Sequence, residues 1–185
     1  MPQNTPTKND LRVQRTRKHI QEALIELTVE KGYDAITAQD IVNRASINRS
    51  TFYRHYLDKD DLLSKYMDEV TGVIFKDDFP NEQGILSGLI KLLNHIQTFS
   101  EFYRIMLSAN GHPLVSHRLR QKIESHFQLI LAQDHLAKEP KTPQFDMRLR
   151  YISAAGIGAI LWWVENNTPC TSEELIGLVN SITPI

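Results

Sequence analysis

Between Arg49 and Tyr56 the chain reads Arg-Ser-Thr-Phe-Tyr-Arg-His-Tyr, and the spacing separates two kinds of side chain. On a helix, Phe52 and Tyr56 share a face four residues apart. Arg49 with Tyr53, and Ser50 with Arg54, pair on the other side. Rings turned inward and Arg, Ser, Tyr and Arg turned outward on two turns of helix make a surface that suits the major groove of DNA. An arginine fork can bridge O6 and N7 of guanine, while hydroxyls donate to phosphate. No acidic residue interrupts the stretch from Ile41 to Leu57, which also holds Arg44. Lys8 to Tyr56 carries nine Lys/Arg against six Asp/Glu, although the whole chain has a net charge of only −1. A local basic face on a near-neutral protein still attracts phosphate.

That segment has to be held by its neighbours, because a helix of two turns is marginal alone. A first helix is expected from about Asp10, with Val13, Ile20, Leu24 and Leu27 on one face and Gly32 as its stop. Three helix starts then share one grammar. Thr37 is an N-cap with Asp40 three residues on, flanked by Ile36 and Ile41 as a hydrophobic staple. Asn48 caps the next helix, with Ile47 and Phe52 in the staple positions. Asp58 caps a third, with Asp61 at N3 and Leu57 and Leu62 as staple. A short helix, the turn Ser46-Ile47-Asn48 and a second short helix form a helix-turn-helix.

Beyond Asp58 long amphipathic stretches follow, broken near Pro80, Gly111, Pro140 and Pro169. The expected fold is all-α with about nine helices. A three-helix domain with the helix-turn-helix occupies 8–58, and a helical ligand-binding and dimerisation domain occupies 59–185. Apolar residues make up 41% of the chain, and the longest apolar run, Ala154 to Val164, is far short of the ~20 residues that span a bilayer. Met1 to Asp10 holds no signal-type apolar stretch, and Cys170 is the only cysteine. The expectation is a cytoplasmic protein with no disulfide and no membrane partner.

The segments Thr37–Ala45, Ser46–Tyr56 and Leu57–Leu62 closely resemble the DNA-binding domain of the TetR family of transcriptional regulators, over about fifty residues from Arg15 to Leu63. The family usually has glycine where Ser46 stands. The wording of Asn48–Tyr56, and the tail Tyr151–Trp163 followed by Ser172–Leu175, is similar to the branch that includes the dihydroxyacetone-kinase operon regulator. The resemblance implies that Thr37, Tyr53, His55 and Lys59 hold the DNA backbone, and that Arg44, Arg49, Ser50 and Arg54 face bases or nearby phosphates. It further implies a non-enzymatic, ligand-responsive repressor. As a homodimer, this would bind a palindromic double-stranded operator through Arg49–Tyr56. An activator or a protein-binding co-regulator of the same fold is the alternative.

In the body of the chain, Ala154, Ala155, Gly156, Gly158 and Ala159 call for a close helix approach, because glycine inside a helix costs about 1 kcal/mol against alanine. The resemblance implies dimerisation through the last two helices. The expected interface is therefore Ala155, Gly156, Gly158, Ala159, Trp162 and Trp163 with Leu175, Ile176, Leu178, Val179 and Ile182. Tyr66, Met67, Phe102, Met106, His126, Phe127 and Tyr151 are the expected lining of a pocket for a small-molecule effector of unknown identity. No cofactor or metal is expected. His117 and His126 fall on opposite faces of one helix, and His117 and His135 lie about 27 Å apart along it. Gly156-Ile-Gly158 lacks the third glycine of a dinucleotide loop, and no Gly-x-Ser-x-Gly nucleophile motif occurs.

Overall fold

A computed structural model describes residues 8–74, 82–133 and 142–182. In them the chain forms nine helices and no strand: α1 (Lys8–Lys31), α2 (Ala38–Arg44), α3 (Arg49–His55), α4 (Lys59–Ile74), α5 (Glu82–Thr98), α6 (Ser100–Leu107), α7 (Pro113–Gln133), α8 (Pro143–Glu165) and α9 (Ser172–Ile182). The chain divides into two compact units, one through Tyr66 and the other from Met67, the boundary falling within the sequence of α4. No described helix is long and apolar enough to cross a membrane.

In the first unit, Ile20, Leu24 and Leu27 of α1 are buried together with Ile41, Phe52, Tyr56, Leu62 and Leu63. Val13, expected on the same face, is exposed; it lies two turns ahead of Ile20, beyond the reach of the core. Gly32 ends α1 in the left-handed region at φ 77°, its N–H donating to the Thr28 carbonyl at 2.9 Å. Thr37 opens α2 with a full capping box. The Asp40 N–H donates to the Thr37 hydroxyl oxygen, and the Thr37 N–H donates back to the Asp40 carboxylate.

The turn after α2 is a Schellman motif. The Ile47 N–H donates to the Val42 carbonyl and the Ser46 N–H to that of Asn43, with Ser46 in the left-handed region at φ 53°. An L-residue there is strained by about 1–2 kcal/mol, partly offset by the lower chain entropy it loses relative to glycine. Ser46→Gly should therefore stabilise the protein by under about 1 kcal/mol, read as a melting temperature a few degrees higher. A lower melting temperature would mean that the serine side chain compensates for its backbone.

The next two starts depart from their expected form. Asn48 has the extended backbone of an N-cap but makes no side-chain capping bond. Asp58 does cap α4, accepting from the Asp61 N–H at 2.8 Å. Leu57, however, is 77% exposed while Leu62 is fully buried, so the expected staple is not made. The Asp61 carboxylate closes this corner instead, accepting from the Leu57 N–H at 2.8 Å.

In the second unit α7 and α8 pack along each other. The Ser153 hydroxyl donates to Glu124 at 3.0 Å. A methyl group added at Gly156 would lie 3.3 Å from Ile123 Cδ1, whereas one at Gly158 would meet open space. The close approach that Gly156 permits is thus within the chain. Asn167, at φ 58°, turns the chain after α8, and Thr171 with Glu174 forms a capping box at the start of α9. Trp163 is fully buried and donates from Nε1 to the Cys170 carbonyl at 2.9 Å. Ser172 ties α9 to α5 through Asn94 at 2.6 Å.

These contacts correct two sets of expectations. Trp163 and Leu175 are buried in their own chain and cannot meet a partner subunit. Ala155, Gly156, Ala159, Ile176 and Val179, also expected at the interface, line a partly open cavity of about 70 Å³ between α5, α7, α8 and α9. Of the expected pocket residues, Tyr66, Met67, Phe102, Met106 and Tyr151 do not line that cavity. Phe102, Met106 and Met67 are fully packed core, Tyr66 is buried, and Tyr151 is 62% exposed. The side chains of His126 and Phe127, and all of His135, lie outside the described residues.

Candidate nucleic-acid interface

The geometry of α3 follows from its two buried rings. Phe52 and Tyr56 are at most 1% exposed and lie 5.7 Å apart, centre to centre. Because they face inward, Arg49, Ser50, Tyr53 and Arg54 are all turned outward and exposed. Arg49 lies 5.4 Å over the Tyr53 ring, and its Nη2 donates to the Tyr53 hydroxyl at 3.4 Å. The stacking steadies a long side chain that would otherwise lose rotamer freedom on binding, without neutralising it. His55, in the last turn, is half-buried. Burial lowers its pKa, and the positive charges of Arg17, Arg54 and Lys65 lower it further.

Lys65 of α4, which the sequence reading did not single out, fixes the end of α3. Its Nζ donates to the His55 carbonyl at 3.0 Å and to Asp61 at 2.8 Å, and it stands 5.5 Å from the Tyr56 ring centre. The last carbonyls of α3 therefore have a cation on them, where the helix dipole favours one. Lys65 hydrogen-bonding, followed by the Leu57 N–H, holds the Asp61 carboxyl below its ordinary pKa.

Three of the expected DNA-contacting residues are already engaged inside the protein. Arg44 reaches Glu26 at 3.0 Å and grips Glu30 through two nitrogens at 2.8 and 2.6 Å, which ties α2 to α1. Its hydrogen bonding lowers the Glu30 pKa. Lys59 donates to the carbonyls of Tyr33 and Asp34 at 3.0 and 3.3 Å and lies 4.6 Å over the Tyr33 ring. The Thr37 hydroxyl donates to Asp40 at 2.6 Å, and with the Thr37 N–H it brings the Asp40 carboxyl down to about 2. The fold thus brings Arg49, Ser50, Tyr53 and Arg54 together on one open face, with His55 at its end. Thr37, Arg44 and Lys59 sit at the joints that hold that face in place. Among the described residues no group of three His, Cys, Asp or Glu stands close enough to hold a metal ion.

A helix-turn-helix with an outward Arg-Ser-Tyr-Arg face, carried with no strand among the described residues, is the arrangement of a DNA-binding regulator. The family model described as bacterial regulatory proteins of the tetR family matches residues 20–66, and that of a transcriptional regulator C-terminal region matches 83–184. The chain belongs to the TetR family, whose members are non-enzymatic transcription factors that bind DNA and act as dimers. YxbF of Bacillus subtilis (strain 168), named as an uncharacterized HTH-type transcriptional regulator, is 46% identical over 55 residues, which are 29% of this chain and 14% of that protein. The fold is shared with a TetR transcriptional regulator from Streptococcus agalactiae 2603V, at TM-score 0.70 and 24% identity, covering 94% of this chain and 96% of that one. It is shared too with the dihydroxyacetone kinase operon activator DhaS, at TM-score 0.65 and 19% identity, over 90% and 94% of the two chains.

Proposed function

We propose that this regulator is a repressor that binds a palindromic operator as a homodimer, each protomer reading one half-site with α3. The observation that carries the reading is the open face of α3, where Arg49 and Arg54 stand exposed and unpaired with any carboxylate among the described residues. Two such helices related by a two-fold axis read half-sites about one helical turn apart. In this reading residues 8–58 recognise DNA, residues 59–185 dimerise and take the effector, and the protein works in the cytoplasm. The cavity between α5, α7, α8 and α9 is the seat we assign to the effector. Its apolar walls, with Asn180 as the polar lining residue, suit a small apolar molecule.

Selection of duplexes from a random pool with the pure protein, followed by footprinting, tests the DNA reading. A two-fold symmetric site should emerge. Deleting the gene should then raise expression from promoters that carry this site. A fall would make the protein an activator, and failure to select any sequence would favour a co-regulator acting through another protein. An effector should raise the melting temperature and shift operator affinity together. One that only stabilises the protein has no differential affinity for the two states.

A further inference from the structure

The reading helix is held at its two ends by different means. At its start the hold comes from the backbone, where the Ile47 N–H donates to the Val42 carbonyl and the Ser46 N–H to that of Asn43. Asn48 adds no side-chain capping bond. At its end two side chains of α4 close on the chain. Lys65 Nζ donates to the His55 carbonyl at 3.0 Å and to Asp61 at 2.8 Å, and stands 5.5 Å from the Tyr56 ring centre. The same Asp61 carboxylate accepts from the Leu57 N–H at 2.8 Å. His55, Tyr56 and Leu57, the three residues over which the chain leaves α3, are therefore all met by one Lys–Asp pair on α4.

A pair four residues apart and partly open to solvent contributes little to stability, so its value lies in what it positions. Lys65 is turned towards the protein, with two donor bonds made and its cation over a ring. The consequence is geometric. Seven residues make a helix about 10 Å long, so a tilt of about 10° about its start carries its last turn by about 2 Å. A hydrogen bond does not survive a displacement of that size. Arg54 lies in that last turn and is exposed, whereas Arg49 opens the helix beside the pivot.

We infer that the Lys65–Asp61 clasp sets the tilt of the reading helix, holding its last turn where Arg54 meets the duplex, while the turn after α2 places Arg49. Lys65 is then a positioning residue, which acts on operator affinity through α3 and does not itself touch DNA. The inference rests on the DNA-binding reading above. It makes the two exposed arginines of α3 separable, because only one of them depends on the clasp.

The test uses the full chain and the duplex selected by the wild-type protein, with affinity measured against salt. Lys65→Met is compared alone and combined with Arg54→Ala or with Arg49→Ala. Arg54→Ala should cost about 5–150-fold per half-site, and Lys65→Met a large part of the same loss. Added to Arg54→Ala, Lys65→Met should cost little further affinity and no further salt slope. Added to Arg49→Ala, its loss should appear in full, as for independent sites. Lys65→Arg, which keeps the charge and the donors, should bind better than Lys65→Met. A general weakening of the fold would not single out Arg54 in this way. If Lys65→Met fails to fold, Asp61→Asn carries the same comparisons, since it keeps an acceptor for the Leu57 N–H and removes the charge that holds Lys65. Unchanged affinity for Lys65→Met or for Arg54→Ala would overturn the inference, as would full additivity with Arg54→Ala. A further loss of about 0.9 in log–log salt slope per protomer on the Arg54→Ala background would place Lys65 on a phosphate and overturn it too. These results would leave the DNA reading intact, whereas a wild-type protein that selects no duplex would overturn both.

Discussion

Replacing Trp162 and Ile182 by glutamate should yield a folded monomer that has lost about 10²–10⁴-fold of its affinity for a palindromic site. The expectation starts from two apolar stripes that the chain leaves uncovered. On α8, Met147, Tyr151 and Trp162 are 69%, 62% and 48% exposed. Ala154 and Gly158, also exposed, lie on the same face between Tyr151 and Trp162. On α9, Leu178 and Ile182, four residues apart, are 48% and 80% exposed. Members of the family act as dimers, and we assign the seam to these two stripes. Glutamates there would have to be buried unpaired across a two-fold axis, which costs several kcal/mol per charge. The internal packing of the two helices would be spared, because the buried Trp163 and Leu175 are left in place. Sedimentation should report a monomer, while affinity for an isolated half-site should hardly change. Gly156→Leu should behave differently. Its side chain would drive into Ile123 within the same chain, so it should lower the melting temperature by overpacking of about 1–3 kcal/mol. A double glutamate variant that remained dimeric would move the seam elsewhere.

The local grammar of the chain was legible in its sequence because caps and stops act over three or four residues. Thr37 with Asp40, Asp58 with Asp61, and Gly32 all stand where the residue types demand, and the inward and outward halves of α3 follow from the spacing of Phe52 and Tyr56 alone. What sequence could not reveal was competition over distance. Arg44 looks like a free cation next to the turn until the fold brings Glu26 and Glu30, eighteen and fourteen residues earlier, against it. Lys59 finds carbonyls twenty-five and twenty-six residues away, and Lys65, unremarked in the sequence, proves to hold the end of the reading helix. The small residues of α8 carry the same lesson. Their presence implies close approach, but Gly156 and Gly158 are separated by about 200° around the helix. One admits Ile123 while the other faces outward. Tyr66, Met67, Phe102 and Met106, expected around an effector, are buried and Tyr151 is exposed, since composition alone cannot separate a packed ring from a ring that lines a space.

The contrast between Arg49 and Arg44 turns this sorting into an expected result. Arg49 is exposed and, among the described residues, bonds to Tyr53, so its removal leaves no buried group unsatisfied there, and Arg49→Ala should melt close to wild type. On the selected operator it should lose about 1–3 kcal/mol per half-site, about 5–150-fold each, and relax base choice at one position in each half. Arg44→Ala should show the reverse pattern. It leaves Glu26 and Glu30, four residues apart on α1, without their shared cation, and like charges at that spacing repel. The melting temperature should fall, and operator binding should weaken with its base preference intact as α2 loses its tie to α1. The loss should also depend on pH in a defined direction. Arg44 lowers the Glu30 pKa from an ordinary value of 4.5, so the stabilisation it gives is present above that value and fades as pH falls through the lowered one. Wild type and Arg44→Ala should therefore differ most near neutrality and converge in acid. A uniform loss on all sequences for Arg49→Ala would reassign that arginine to phosphate. Relaxed base choice with unchanged melting for Arg44→Ala would show that its guanidinium leaves the two glutamates to read DNA.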